Sequence, residues 1–257
     1  MTFPALRPLS VGEILDTSFG LYRQHFIALA TIVMISTGAP LLLNLYLQSA
    51  GGLMANPVLA VVYLLVYVAL SSLGAAATVY LISEGYLGRE LAAGAALSRA
   101  MPLLGTIVVY SILFALVVGI GLLLLIVPGV VLACGLVLAT PVIVLEPGVD
   151  ATGAMARSWA LTKGSRLRMF GLLLVFGLLV YIPIIALSIV AAMVAPGALT
   201  AGDGSTAPML VFTAALGIVQ MVIYPLLYCI LTVAYYDMRV RKEGFDLEML
   251  ASSLQAA

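Results

Sequence analysis

Polar and charged positions in this chain are gathered into short intervals, and long apolar runs lie between them. A helix needs about 20 apolar residues to cross a hydrocarbon core. Six runs meet that length, at about 26–47, 57–83, 104–126, 129–145, 169–195 and 208–236. None alternates polar and apolar positions as the strands of a membrane barrel do. The uncharged stretch from Ala100 to Leu145 would make about 69 Å of helix, enough for two crossings. Pro128-Gly129 is its only turn signal, so the pattern predicts a tight turn there with almost no polar loop.

The polar intervals carry the orientation. All eleven Lys and Arg residues fall in four clusters: Arg7 with Arg23, Arg89 with Arg99, Arg157 through Arg168, and Arg239 through Lys242. If one membrane hairpin bridges each successive pair of clusters, every positive charge lies on one side of the bilayer. Gln48 to Asn56 has no charge, and Pro196 to Pro208 has only Asp203. Positive residues stay on the cytoplasmic side, so both termini are expected there.

Each of the first three clusters also reads as a short amphipathic helix ahead of a hairpin. Ser10-Val11-Gly12-Glu13 is a capping box that opens the first. Val11, Ile14, Leu15, Ser18 and Tyr22 then share a face opposite Glu13, Asp16, Thr17 and Arg23. A weaker version runs from Gly94 to Met101. Asp150 can cap a third, with Met155 and Trp159 on one side, Arg157 and Lys163 turned away, and Gly164 ending it. The fold class expected is all-α: a polytopic membrane protein of six transmembrane helices in three hairpins, each preceded by a cytoplasmic interfacial helix. A single integral membrane domain would occupy 1–243, with a short cytoplasmic tail over 244–257.

Composition agrees and closes other classes. The chain is 64% hydrophobic and 9% charged, with a mean hydropathy of +1.23. Soluble domains are about half apolar and a quarter charged. The formal net charge of +0 lacks the basic excess that nucleic acid requires. The opening residues spread Arg7, Glu13, Asp16 and Arg23 among apolar ones, unlike a signal peptide, so insertion is expected to use the first membrane helix. Cys134 and Cys229 lie in apolar runs and read as buried small hydrophobes. The single histidine, His25, has no ligand-like spacing around it, so no metal or cofactor is expected.

Candidate chemistry is sparse. The spans hold no Asp, Glu, Lys, Arg or His at mid-membrane, which weighs against ion-coupled transport. Gln220 is the most isolated polar side chain; it is expected to make an interhelical hydrogen bond or to touch a ligand. Pro40, Pro141, Pro183 and Pro225 can kink their helices, for packing or to line a substrate path. The serines have no accompanying base, so no catalytic residues are assigned.

Two polar segments remain. Arg157, Lys163, Arg166 and Arg168 could meet anionic lipid headgroups, with Trp159 anchoring at headgroup level, or could be plain topological anchors. In the exit segment Tyr235, Tyr236, Asp237, Arg239, Arg241 and Glu243, the tyrosines are expected to mark the membrane interface. Asp237 and Arg241 stand one turn apart and can pair, and Gly244 is expected to end the helix.

The exit segment YYDMRVRKEGFDLE, the segment ARSWALTKG and the opening LRPLSVGEILDTSFGLYRQHF resemble the bacterial membrane domains named after glycerophosphoryl diester phosphodiesterases. The resemblance implies a multi-pass protein of the bacterial inner membrane. It does not imply the activity, because the chain has no room for the separate phosphodiesterase barrel and lacks its His and carboxylate set.

The leading expectation for function is a non-enzymatic scaffold or accessory subunit contacting membrane lipids, a membrane-protein partner or further copies of itself. The alternative is a permease or flippase for an amphiphilic substrate. A lipid-modifying enzyme using Glu84, Glu146, Arg157 and Asp237 ranks last, because their spacing diagnoses no mechanism.

Overall fold

The computed structural model describes residues 7–52, 56–194 and 206–247, and among them the regular structure is all helical. Helix α1 (Val11–Gln24) starts at the capping box. The Glu13 amide donates to Ser10 Oγ (3.2 Å), and the Ser10 amide donates to the Glu13 carboxylate (2.7 Å). Its buried residues are Ile14, Ser18 and Leu21. The expected face therefore forms, with Val11, Leu15 and Tyr22 partly buried against the core and Leu21 added to it.

After His25 the chain continues as α2 (Phe26–Val33), a π-helical turn (Met34–Gly38) and α3 (Ala39–Ser49). The wide turn ends two residues before Pro40, whose ring cannot supply an amide to the preceding turn. Asn56 caps α4 (Pro57–Tyr86) by accepting from the Leu59 amide. Next come α5 (Ala93–Ala100), α6 (Leu104–Leu124), α7 (Ile126–Leu136) and α8 (Ala139–Leu145). Asp150 caps α9 (Ala151–Thr162), and hydrogen bonds from Thr152 and the Gly153 amide hold its carboxyl below the usual range. The last two helices are α10 (Arg166–Val194) and α11 (Thr206–Glu243). Six helical stretches are long and apolar enough to cross a membrane: Phe26–Ser49, Pro57–Tyr86, Ala93–Leu124, Ile126–Leu145, Arg166–Met193 and Ala207–Glu243.

One boundary corrects the sequence reading. The turn within Ala100–Leu145 lies at Leu125, whose backbone is extended, and not at Pro128-Gly129. Pro128 sits in the first turn of α7, where an amide has no helical partner to lose. Gly129 serves contact: a Cβ there would fall 2.5 Å from the Leu122 side chain, so the two helices meet through bare backbone. The final helix continues past its apolar run, as expected. It runs through the charged exit to Glu243, because Arg, Lys and Glu are good helix formers. Gly244 ends it at φ +65°.

The second half of α4 forms the centre of the packing. From Ser72 to Val79 every residue is buried. The run Gly74-Ala75-Ala76-Ala77 lets neighbouring backbones approach closely, which is how membrane helices gain contact when burial in lipid offers no hydrophobic drive. At Gly74 a Cβ would lie 2.3 Å from Ser36 Cβ. Helix α4 touches α1, the α2–α3 segment, α5, α6, α8 and α11. The end of α11, Ile230 to Met238, is buried against the same core.

Candidate functional site

The charged residues of the exit segment are consumed by partners far away in sequence. The fully buried Asp237 carboxylate accepts from the Leu9 amide (2.7 Å), from Arg168 (2.7 Å) and from Arg241 (3.0 Å). Arg168 and Arg241 also donate to the Leu9 carbonyl, at 2.9 and 2.7 Å. One carboxylate and two guanidinium groups thus clamp both backbone polar groups of a single residue, Leu9. A buried charge is tolerated when paired and hydrogen-bonded in this way.

A second cluster lies on the same stretch of α11. Arg157 Nε donates to both Glu146 oxygens (3.1 and 3.0 Å), and its Nη2 donates to Glu243 (2.8 Å). Glu243 also accepts from Arg239 at 3.1 Å. Hydrogen bonding to Glu243, against the opposing cost of burial, and then to Glu146 raises the Arg157 pKa above its ordinary value. The tyrosines face protein. Tyr235 is fully buried and donates to Glu146 (3.0 Å), while buried Tyr236 shares a 2.7 Å hydrogen bond with Ser83. An aromatic beside a charge run gives no sign in the sequence of the partners that cover it.

The remaining cations of the second polar segment are disposed differently. Trp159 lies on Gly135, where a Cβ would come within 2.3 Å of the ring, and the Arg166 guanidinium stacks 3.6 Å above the ring centre. Arg166 Nε is buried with no hydrogen-bond partner. The Lys163 side chain is exposed. Lys242 caps the end of α9 by donating to the carbonyls of Ala160 and Lys163. The two segments read separately from sequence therefore form one network, and only part of it keeps free positive charge.

Gln220 belongs to a different place. It lines two adjoining cavities of about 180 Å³ each, between the α2–α3 segment, α4 and α11. Thr37, Tyr67 and Gln220 border both. Ser36, Thr78, Tyr224 and Tyr228 add hydroxyls to the first, and Asn44, Tyr63 and Thr213 add polar groups to the second. The expected interhelical hydrogen bond of Gln220 is not made to any described residue. The hydroxyls of Ser36, Thr37, Tyr67, Thr78, Tyr224 and Tyr228 are likewise without a described protein partner. Ser36 and Thr78 are only 5% and 2% exposed. A short chain closes one side: Thr213 donates to Gln48 (3.1 Å), and Gln48 donates to Asn44 (2.7 Å). Pro225 and the π turn both border the first cavity, so two of its walls depart from regular α-helix. No described lining residue is Asp, Glu, Lys, Arg or His, and the site can recognise uncharged hydrogen-bonding groups without neutralising a charge.

No curated protein and no solved structure matches the chain. A family model described as a domain of unknown function, DUF7847, matches residues 70–238, more than half of the 257. The match runs from the buried half of α4 to the clamp on α11 and takes in Glu146, Arg157, Trp159, Arg168, Gln220 and Asp237. The chain belongs to the DUF7847 family.

Proposed function

We propose that the protein is a non-enzymatic carrier, a permease or flippase, for an amphiphilic molecule with a small uncharged polar head. The observation that carries this reading is the cavity around Gln220, whose polar groups have no protein partner. Unanswered polar groups inside a membrane cost free energy and are associated with use. The π turn and Pro225 give the walls places to rearrange, as broken helices do around substrate sites. The carboxylates that an enzymatic reading would need, at Glu84, Glu146 and Asp237, are held by arginines.

The test is transfer in liposomes holding the purified chain. A fluorescent diacylglycerol monoglycoside is expected to cross the bilayer faster than in protein-free vesicles, and Gln220→Leu is expected to lower that rate at least tenfold. Absence of transfer by the parent, or unchanged transfer by the variant, overturns the reading.

A second reading is a scaffold or accessory subunit, alone or as a homo-oligomer. It draws on the ion-pair network, which fixes α9, α11 and the Leu9 segment as one rigid surface. Stoichiometric copurification of a membrane protein from native membranes would support it; a lone, monomeric chain would sink it.

We further propose that the six spans form three hairpins with both termini in the cytoplasm of a bacterium, spanning its inner membrane. The positive-inside rule and the meeting of the third and fourth basic clusters, through Arg168 and Arg241, with the Leu9 segment at Asp237 support this. The kinship with membrane domains named after glycerophosphoryl diester phosphodiesterases is also held as a proposal, on the three segments that carry it.

A further inference from the structure

We infer that α7, α10, Trp159 and Arg166 form a site for one anionic phospholipid, with an acyl chain in an apolar groove and the phosphate against Arg166. The site is separate from the Gln220 cavity, and failure of the carrier reading would leave it standing. The groove has about 350 Å³ and lies between Val130, Ala133 and Cys134 on α7 and Phe170, Leu174 and Leu178 on α10. The outer faces of Phe170, Leu174 and Leu178 are exposed. At Gly177 a Cβ would meet nothing within 4 Å, so bare backbone forms part of the groove wall.

The occupant is fixed by what stands at one end. Arg166, Phe170, Leu174 and Leu178 recur every four residues and so follow one stripe of α10. On the α7 side, Cys134 of the groove is followed by Gly135, which carries the Trp159 ring, and Arg166 covers that ring. The groove therefore leads to a guanidinium. Arg157, Arg168 and Arg241 are each held by a carboxylate. Arg166 is not, among the described residues: its Nε is buried without a partner, and the exposed Lys163 ammonium stands three residues away. An apolar slot ending in an unneutralised guanidinium, with an exposed lysine three residues before it in sequence, is complementary to a chain-bearing phosphodiester. Free phosphate would have no use for the groove, and a zwitterionic lipid would bring its own cation toward Arg166.

The single tryptophan of the chain reports on the site directly. The full chain is placed in phosphatidylcholine nanodiscs, and Trp159 fluorescence is followed as phosphatidylglycerol brominated on its acyl chains is added. Brominated phosphatidylglycerol is expected to quench at about a fivefold lower mole fraction than brominated phosphatidylcholine. Unbrominated phosphatidylglycerol should reverse the quenching and inorganic phosphate should not. Arg166→Gln is expected to bring the two lipids to parity, while Gly177→Leu, which fills the groove and keeps the cation, weakens quenching by both. If Arg166→Gln fails to fold, Lys163→Gln at an exposed position should still reduce the preference. Equal quenching by both lipids in the parent, a preference retained without Arg166 or untouched by Lys163→Gln, or reversal by inorganic phosphate would each overturn the assignment.

Discussion

The Leu9 amide and the Asp237 carboxylate are 228 residues apart in sequence and 2.7 Å apart in the fold. With Arg168 and Arg241 on the same carboxylate, this contact ties the start of the described chain to the end of its last helix. Asp237→Ala leaves two guanidinium groups beside the Leu9 carbonyl with no counter-charge. The expected loss is about 3–5 kcal/mol, read from unfolding in mild detergent. Arg241→Gln should cost less, since Arg168 still pairs with Asp237. Equal and small effects from both would contradict the clamp.

Acid should loosen the start of α1. Hydrogen bonding with Arg7, together with bonds from Ser10, holds the Glu13 carboxyl down to about 2, against an ordinary value of 4.5. A depressed carboxylate contributes stability above its unfolded pKa and loses it as pH falls through the folded one. Amide hydrogen exchange at the first turn of α1, corrected for the intrinsic rate, is therefore expected to rise between about pH 4.5 and about 2. Glu13→Gln should remove most of that pH dependence. A first turn equally protected across this window would count against the capping box as its anchor.

Gly74 and Ser36 form the tightest contact beside the cavity. Gly74→Val is expected to destabilise by about 1–3 kcal/mol by overpacking, and Ser36→Gly in the same chain should recover part of the loss. Thermal unfolding of the two single variants and the double variant measures the coupling; additive losses would show that the contact is not felt.

The turn between α6 and α7 gives a contrast of two adjacent residues. Pro128→Ala should change stability by less than about 1 kcal/mol, because the first turn of α7 asks for no amide there. Gly129→Val must push Leu122 aside and should be several times more costly. The reverse order would restore Pro128-Gly129 as the turn.

Local features were legible in the sequence. The Ser10–Glu13 box, the Asp150 cap, the Gly164 and Gly244 stops and the Asp237–Arg241 pair depend on residues within a turn of one another. Apolar run length found all six spans, and the Gly244 stop carried the last helix beyond its apolar run. Partners were not legible. Nothing local tells Arg157 to choose Glu146 and Glu243, or Arg168 to choose Asp237, since those choices depend on how distant helices are rotated. The cavity was half visible. Gln220 stood out as an isolated amide, but its hydroxyl companions did not, because membrane hydroxyls often bond their own helix. Ser111, Ser188 and Thr232 do so, donating to the carbonyls of Ile107, Ile184 and Tyr228. Ser36, Thr37 and Thr78 do not, and only the meeting of three helices reveals that.

The central claim is that the polar groups around Gln220 are answered by a bound molecule. A high-resolution cryo-electron microscopy map of the full chain, extracted with its native lipids into nanodiscs, tests it most directly. The account predicts ordered non-protein density within hydrogen-bonding distance of Gln220 and Tyr67, lost in Gln220→Leu. A cavity closed by a hydrogen bond from Gln220 to a neighbouring helix, with no density beside it, would contradict the account.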